Sequence, residues 1–427
     1  MTSPGGAGLL TGLGCISVSG CRVSLPMMEA LSFRRDECHQ TLLDLQRRSG
    51  ATALCVLSTC ERIELYATWT QEADLESLMA ALAANRGLPY DVVSDAATGL
   101  IGRAAVRHLF RVTAGLESFV LGESDIVGQV RAAAEASRSS GAGGLELDRL
   151  LDTAVNTSRR VHRNTGFGES GRSVASSAVR MAATDCGGHL EGRRVLVVGA
   201  GHAATDVAQT AVALGAAVTV CNRTRRHADR FAAAGAEVVD LARVLDVLST
   251  ADVAIFATAA PHRLVEAAHL AAARSGREKP LLLVDLCVPR NVDPAVGGLA
   301  DVRLVDLGDL RLEALAEGEV LTRDVARAEQ IVGEELGRYL RWMARRCAAV
   351  SVQRFRADVE ACAQRHVEQV TRGVPADVRQ LVETGVLRAV RQLAHGPTLR
   401  MLEAAEAGDD ELVLKLAGIF APSAQEG

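Results

Sequence analysis

Hydrophobic and polar positions change rhythm three times along the chain. From residue 1 to about 155, short apolar runs such as 53-ALCVLS-58 and 63-IELYATW-69 mix with amphipathic stretches around 72–84 and 103–139. A strand buries alternate residues and a helix every third or fourth, so this stretch reads as a compact α+β unit. From about 190 to 310 the strand signals 194-RVLVVGAG-201, 217-AVTVCNRT-224, 237-EVVDL-241, 252-DVAIFATA-259, 281-LLLVDLCV-288 and 302-VRLVDL-307 are mostly separated by helix-length, Ala-rich segments. That alternation predicts a parallel, doubly wound sheet. Beyond 310 the strand signals stop. Leu321, Val325, Ala328, Val332, Leu336, Tyr339 and Met343 step by four and three along one long helix. The stripe continues less regularly through Val352, Phe355, Val359 and Cys362. Either a helical bundle closing the monomer's own core or a dimerisation arm would cover it, and the sustained seam favours the arm. The expected fold class is an α/β multidomain chain: an α+β domain over 1–160, a Rossmann-type domain over 161–310 and a helical region over 311–427.

A chain of 427 residues is too long for one ordinary core, which agrees with that division. Apolar residues at 48% and charged residues at 23% are those of a soluble globular protein. The net charge of −5 argues against a globally basic nucleic-acid binder, although a local patch remains open. The start 1-MTSPGGAGLL has no basic region followed by an apolar one, so no secretory signal is expected. No apolar run approaches the length of a membrane helix, and no membrane partner is expected. Ten cysteines without CxxC spacing speak against zinc and against a secreted disulfide framework. The expected setting is a reducing cytoplasm with no bound metal, where a thiol serves either packing or chemistry.

The loop 199-GAGHAATDVA-208 follows an apolar strand and opens a helix. Gly199 permits the tight turn, and Gly201 lets backbone N–H groups approach a pyrophosphate at the helix N-terminus. Ala204 stands where a third glycine is often found and is small enough for close packing. Gly199, Ala200, Gly201, His202, Ala203 and Ala204 are therefore the expected phosphate-binding loop. The second strand distinguishes the cofactors. An NAD site ends it with an acid for the ribose 2′-hydroxyl, whereas this one ends 222-NRTRR-226. A guanidinium pairs with a 2′-phosphate that a carboxylate would repel, so Asn222, Arg223 and Thr224 point to NADPH.

The stretch 57-LSTCERIELYA-67 places Cys60 just past a strand end, between Thr59 and Glu61, with Arg62 two residues on. A scattered cysteine is usually a small buried hydrophobe. At a turn beside a guanidinium it has another use: Arg62 stabilises the thiolate, or binds a substrate carboxylate while the thiol attacks a nearby carbonyl. A thiol nucleophile and an NADPH site in one chain point to a thioester reduced by hydride, the chemistry that turns an activated carboxyl into an aldehyde.

Together with 107-RHLFRVTAGLESFVLGESDIVGQV-130, 170-SGRSVASSAV-179 and 284-VDLCVPRNVDP-294, that stretch resembles the glutamyl-tRNA reductase family, with four blocks in the same order over about residues 50 to 345. The resemblance implies NADPH-dependent reduction of glutamyl-tRNA(Glu) to glutamate-1-semialdehyde, the first committed step toward 5-aminolevulinate and tetrapyrroles. It implies a V-shaped homodimer of catalytic, NADPH and C-terminal dimerisation domains joined by a spinal helix. It also implies a charged tRNA as partner, with a downstream aminotransferase receiving the aldehyde. Carried over by position, Cys60 would be the nucleophile. Arg62 would hold the glutamate side-chain carboxylate, with Thr59, Ser118 and Gln129 supplying hydrogen bonds. His108 matches the family's histidine important for activity, either managing protons or orienting the carbonyl. Glu123, Ser124 and Asp125 would line the same pocket.

The departures cluster at the catalytic end. Glu61 stands where the family usually has Asn, and Ser124-Asp125 replaces a common Pro-Gln. The first strand, 12-GLGCISVSGC-21, lacks the expected His-Lys/Arg-Thr-Ala-Pro. These keep alternatives open: a paralogue that reduces another aminoacyl-tRNA, a weakly active or regulatory homologue binding tRNA and nucleotide, or a shikimate-dehydrogenase-type enzyme on a free acid. For tRNA phosphates the sequence offers 158-SRRVHRNTGFGESGR-172 and Arg338, Arg341, Arg345 and Arg346.

Overall fold

The computed structural model describes residues 12–34, 38–118, 120–123, 125–168, 173–233, 235–277, 279–310 and 322–420. The N-terminal sheet contains β1 (Leu13–Ser19), β2 (Ala53–Ser58), β3 (Arg62–Thr68) and β4 (Thr98–Ile101), in the antiparallel order β2-β3-β1-β4. Every residue of the central β3 is buried. Its period of two sends Ile63, Leu65 and Ala67 into one core with Ile16, Val18, Leu45, Leu54 and Leu78. Arg62, Glu64 and Tyr66 take the other face. There Tyr66 joins Phe110, Leu147 and Leu150 from helices α5 (Arg103–Thr113) and α7 (Leu145–Asn164). Helices α1 (Leu25–Leu31), α2 (Cys38–Ser49), α3 (Leu75–Arg86) and α4 (Tyr90–Ala96) precede them.

The amphipathic run expected over 103–139 is two helices, α5 and α6 (Asp125–Ser140), with a folded-back loop between them. Gly122 lies in that loop at φ +79, and a Cβ there would meet the Phe167 ring at 2.6 Å. Glycine is what lets the loop turn against Phe167 and bring Glu123 inward.

A second sheet runs β10-β9-β8-β5-β6-β7, all parallel: β5 (Arg194–Val198), β6 (Ala217–Asn222), β7 (Glu237–Asp240), β8 (Val253–Phe256), β9 (Leu281–Asp285) and β10 (Val302–Asp306). The order changes direction at β5, as in a doubly wound dinucleotide fold. Both faces are covered, which is why the central strands are near-continuous apolar runs. One face carries α8 (Val174–Asp185), capped reciprocally by Ser173 and Ser176, α9 (His202–Ala213) and α10 (Arg225–Ala232). The short helices α11 (Val244–Leu248) and α12 (Ala267–Ala273) cover the other face.

Helix α13 runs unbroken over Thr322–Val370, 49 residues, a length of roughly 70 Å at the usual rise. Its apolar seam corrects the expectation of a dimer arm along the whole stripe. Ala328, Val332, Leu336, Tyr339 and Met343 pack into the chain's own α5 and α7, with the Tyr339 ring edge-on to Phe110 at 6.3 Å. Leu321 lies outside the described residues. Farther along, Val352, Phe355 and Val359 pack against α14 (Ala376–Ala407) and α15 (Asp410–Gly418). Leu381 and Leu393 on α14 remain exposed.

Several arginines expected to meet tRNA phosphates are used within the chain. Arg160 pairs with Glu334 and Glu335, Arg338 with Glu335, Arg345 with Glu406 and Arg346 with Glu146. Most of these pairs fasten α13 to its neighbours, and each alone contributes little at the surface. Among the described residues, no helix is long and apolar enough to cross a membrane.

Candidate active site

Cys60 sits in the turn from β2 to β3. Thr59 shapes that turn: its backbone N–H donates to the Arg62 carbonyl at 2.9 Å. Its hydroxyl oxygen accepts from the N–H groups of Glu61 and Arg62, both at 3.1 Å. A threonine so used fixes the backbone around the thiol. The half-buried Cys60 packs against the apolar cluster of the parallel-sheet domain. Cys287 of that domain is close enough for Cys60 to act on it: burial pushes the Cys287 thiol well up, and Asp285 and then Cys60 add to the rise.

Arg62 is 3% exposed. Its guanidinium lies 3.4 Å from Glu64 and 3.6 Å from Glu61, and Nη2 donates to the Glu117 carbonyl at 2.6 Å. Burial opposes its charge, yet Glu64 and Glu61 outweigh that and hold the guanidinium above its ordinary value. Glu64 is fully buried. It accepts from the hydroxyls of Tyr66 at 2.6 Å and Ser17 at 3.1 Å, and lies 2.8 Å from His108 Nε2. Burial pushes its carboxyl up, but His108, Arg62 and Tyr66 prevail and bring it to about 2. Glu123 is buried nearby. Burial and then the charges of Glu61 and Asp125 push its carboxyl well up, against Arg62. Glu123 Oε2 has no hydrogen-bond partner among the described residues.

Ser118 is buried next to Glu117, and Gln129 is half-buried on α6. Ser124 lies outside the described residues. Asp125 is near enough to Glu123 to push its carboxyl up, and its own carboxylate is 2.8 Å from His202 Nδ1 of the dinucleotide loop. With Asp206 these form the one group having metal-ligand spacing among the described residues.

Gly199 has φ +122, and a Cβ there would stand 2.3 Å from the Ala257 carbonyl oxygen. Gly201 begins α9 with open space where its Cβ would be, and Ala204 is fully buried. Ala203 packs on the domain core, and Ala200 accepts from Arg230 at 2.6 Å. Asn222 donates to the Thr224 carbonyl at 2.9 Å, which shapes the end of β6. Arg223 and Thr224 are exposed, and Arg223 lines a cavity of about 420 Å³ with Asp240, Leu241, Ala242, Val244, Leu245 and Leu264. A glycine cradle and a helix N-terminus fit a nicotinamide dinucleotide. Gly199→Ala is expected to weaken nicotinamide-cofactor binding at least tenfold, since backbone strain of about 1–3 kcal/mol joins a steric overlap. Titration calorimetry checks this, and unchanged affinity would remove Gly199 from the site.

One contact that was not evident in the sequence joins the two domains. Arg290 donates to Glu29 through its backbone N–H at 2.8 Å, Nε at 2.9 Å and Nη2 at 2.8 Å. Asp285 accepts from the backbone N–H groups of Cys287, Asn291 and Val292, which folds the loop carrying Arg290. Burial nevertheless raises the Asp285 carboxyl to about 6. Glu64 was also missed, although alternation through 62-RIELY-66 places it between Arg62 and Tyr66 on one strand face.

A doubly wound dinucleotide domain with a thiol from a neighbouring α+β domain packed against it defines a nicotinamide-dependent oxidoreductase with a separate substrate domain. Residues 16–165 match the model of the glutamyl-tRNA(Glu) reductase N-terminal domain, 180–313 that of shikimate/quinate 5-dehydrogenase, and 327–421 that of the glutamyl-tRNA(Glu) reductase dimerisation domain. Glutamyl-tRNA reductase 2 of Nocardioides sp. is 50% identical over 421 residues, covering 97% of this chain and 94% of the relative. Glutamyl-tRNA reductase 1 of the same strain is 34% identical, covering 95% of each chain. The solved glutamyl-tRNA reductase from Methanopyrus kandleri is 28% identical, with a TM-score of 0.47, covering 95% of this chain and 100% of that one. The chain belongs to the glutamyl-tRNA reductase family. It carries that family's dimerisation domain and a dehydrogenase-type domain for a nicotinamide cofactor.

Proposed function

We propose that this protein reduces glutamyl-tRNA(Glu) with NADPH to glutamate-1-semialdehyde, the first step toward tetrapyrroles. The observation that carries the reading is the position of Cys60, at the apex of a catalytic-domain turn and packed against the dinucleotide domain. The Cys60 thiolate attacks the aminoacyl carbonyl. A C–S bond forms, the C–O bond to the terminal ribose breaks, and the ribose hydroxyl leaves with a proton. NADPH, when bound, supplies the hydride that converts the thioester to the aldehyde and releases the thiolate. Arg62 receives the side-chain carboxylate, the turn set by Thr59 holds the thiol, and Ser118, Gln129 and Glu123 offer hydrogen bonds to the aminoacyl group.

Arg223 is proposed to select NADPH by pairing with the 2′-phosphate. A charge-assisted contact of about 1.5–3 kcal/mol predicts that Arg223→Ala raises the KM for NADPH roughly 10- to 100-fold, with little effect on NADH. Steady-state kinetics with both cofactors measures the ratio, and parallel losses for both would refute the assignment. The enzyme is proposed to work in the cytoplasm as a homodimer, using exposed α14 residues such as Leu381 and Leu393, and to pass its aldehyde to an aminotransferase.

A second reading, reduction of another aminoacyl-tRNA, is favoured by Glu61, which lies against Arg62 and weakens its field for an anionic side chain. The test of both is aldehyde release from purified dimer and NADPH across a panel of charged tRNAs. Glutamyl-tRNA as the best donor supports the first reading, and a different donor supports the second. Ribonuclease treatment of the donor should stop release, and persistence would point to a free-acid dehydrogenase.

A further inference from the structure

Glu64 is a fully buried carboxylate to which the acyl-transfer scheme assigns no task. Burying such a charge is costly unless it is paired and hydrogen-bonded, and an apolar side chain in the same space is often no less stable. Its partners come from three elements: Ser17 on β1, Arg62 and Tyr66 on β3, and His108 on α5. An ionised carboxylate only accepts hydrogen bonds, so each partner must donate. The Ser17 and Tyr66 hydroxyls and Arg62 Nη1–H do so, which leaves His108 Nε2–H as the donor at 2.8 Å. The proton on His108 is thereby assigned to Nε2. Nδ1 makes no hydrogen bond among the described residues, and the side chain keeps 17% exposure. Arg107 and Arg111, on the same helix, pair instead with Glu329.

We propose that Glu64 is a positioning residue that locks His108 in its Nε2–H form, leaving Nδ1 to exchange protons with the groups that react at Cys60. This rests on the thioester reading above. In the acyl-transfer step the thiol proton passes to Nδ1 and then to the departing ribose oxygen, while the S–C bond forms and the C–O bond breaks. With Glu64 replaced, Arg62 keeps the Glu117 carbonyl and Glu61 as partners. Loss of Glu64 therefore acts mainly on proton transfer rather than on substrate binding.

The test compares wild type, Glu64→Gln, His108→Ala and the double variant as full-length dimers. Acyl transfer to Cys60 is followed in single turnovers without NADPH, and steady-state constants are measured alongside. Glu64→Gln is expected to slow acyl transfer roughly 10- to 100-fold, within the range of positioned acid–base groups. KM should change less than about threefold, and the His108→Ala background should leave less than about a twofold further effect. Glu64→Asp, which keeps the charge, should recover part of the rate.

A wild-type rate in Glu64→Gln, the same loss in both backgrounds, or no recovery in Glu64→Asp would overturn the proposal. A second readout does not depend on the reaction: nitrogen-15 NMR of the His108 ring in unliganded dimer, which reports which ring nitrogen carries the proton. Wild type and Glu64→Asp should show the Nε2–H tautomer, and Glu64→Gln a mixture of the two tautomers. The same tautomer mixture in all three overturns the positioning role even if wild type accepts no charged tRNA. The latter result would instead refute the proposed function.

Discussion

Cys60→Ser is expected to lower reduction of the aminoacyl donor by about 10⁴-fold or more, the scale seen when a covalent nucleophile is removed. The serine hydroxyl is far less ionised than a thiol, and an oxygen ester accepts hydride less readily than a thioester. The substitution is nearly isosteric, and the Thr59 hydroxyl bonds that shape the turn are kept. Dinucleotide affinity and dimer formation should therefore be unchanged, which separates lost chemistry from lost structure. Normal turnover in Cys60→Ser would move the nucleophile elsewhere.

Arg62→Met is expected to destabilise the catalytic domain by about 3–5 kcal/mol, the cost of breaking a buried ion pair from one side. Glu64 and Glu61 lose the counter-charge within 3.6 Å, and the Glu117 carbonyl loses its donor. Urea unfolding followed through Trp69 and Trp342 reads this directly, since the ring of Trp69 donates to Ser49 and Trp342 packs on the same domain. Arg62→Lys, which keeps the charge but not the fork, should lose less. The pH dependence has a defined sign. Glu64 titrates near 2 in the folded chain against an ordinary 4.5. Its contribution is complete above about 4.5 and is lost as pH falls toward 2. In Arg62→Met the acid loss should begin at a higher pH. A domain as stable as wild type in urea, with an unchanged acid limb, would mean that the charges are solvated rather than coupled.

The parallel sheet was legible because strands covered on both faces have no polar alternation to obscure them. Strand β4, 98-TGLI-101, was not, since it is short and its Gly99 gives no side chain to the pattern; pairing with Ile16 of β1 makes it a strand. The seam on α13 showed that an apolar face is covered without saying by what. The cover over Ala328 to Met343 is the catalytic domain, and Phe110 and Leu147 come from far back in the chain. The basic positions along α7 and α13 had the same ambiguity, because their carboxylate partners are distant in sequence.

At the site, Cys60 and Arg62 stood out because a thiol and a charge occupy a turn between apolar strands. Glu64 did not. Its meaning depends on Ser17 and His108, which only tertiary pairing brings to it. Asp125 also pairs with His202 of the nucleotide loop, a contact that only the packing of the two domains makes.

The claim on which the account turns is that one sulfur, at the tip of the β2–β3 turn, carries the acyl group between tRNA and hydride. Peptide mass spectrometry of the dimer quenched after incubation with glutamyl-tRNA, with NADPH withheld, tests it most directly. The account predicts a glutamyl adduct on the Cys60 peptide that disappears, with aldehyde formed, once NADPH is added. Turnover without an adduct there, or with the adduct on another cysteine, would contradict it.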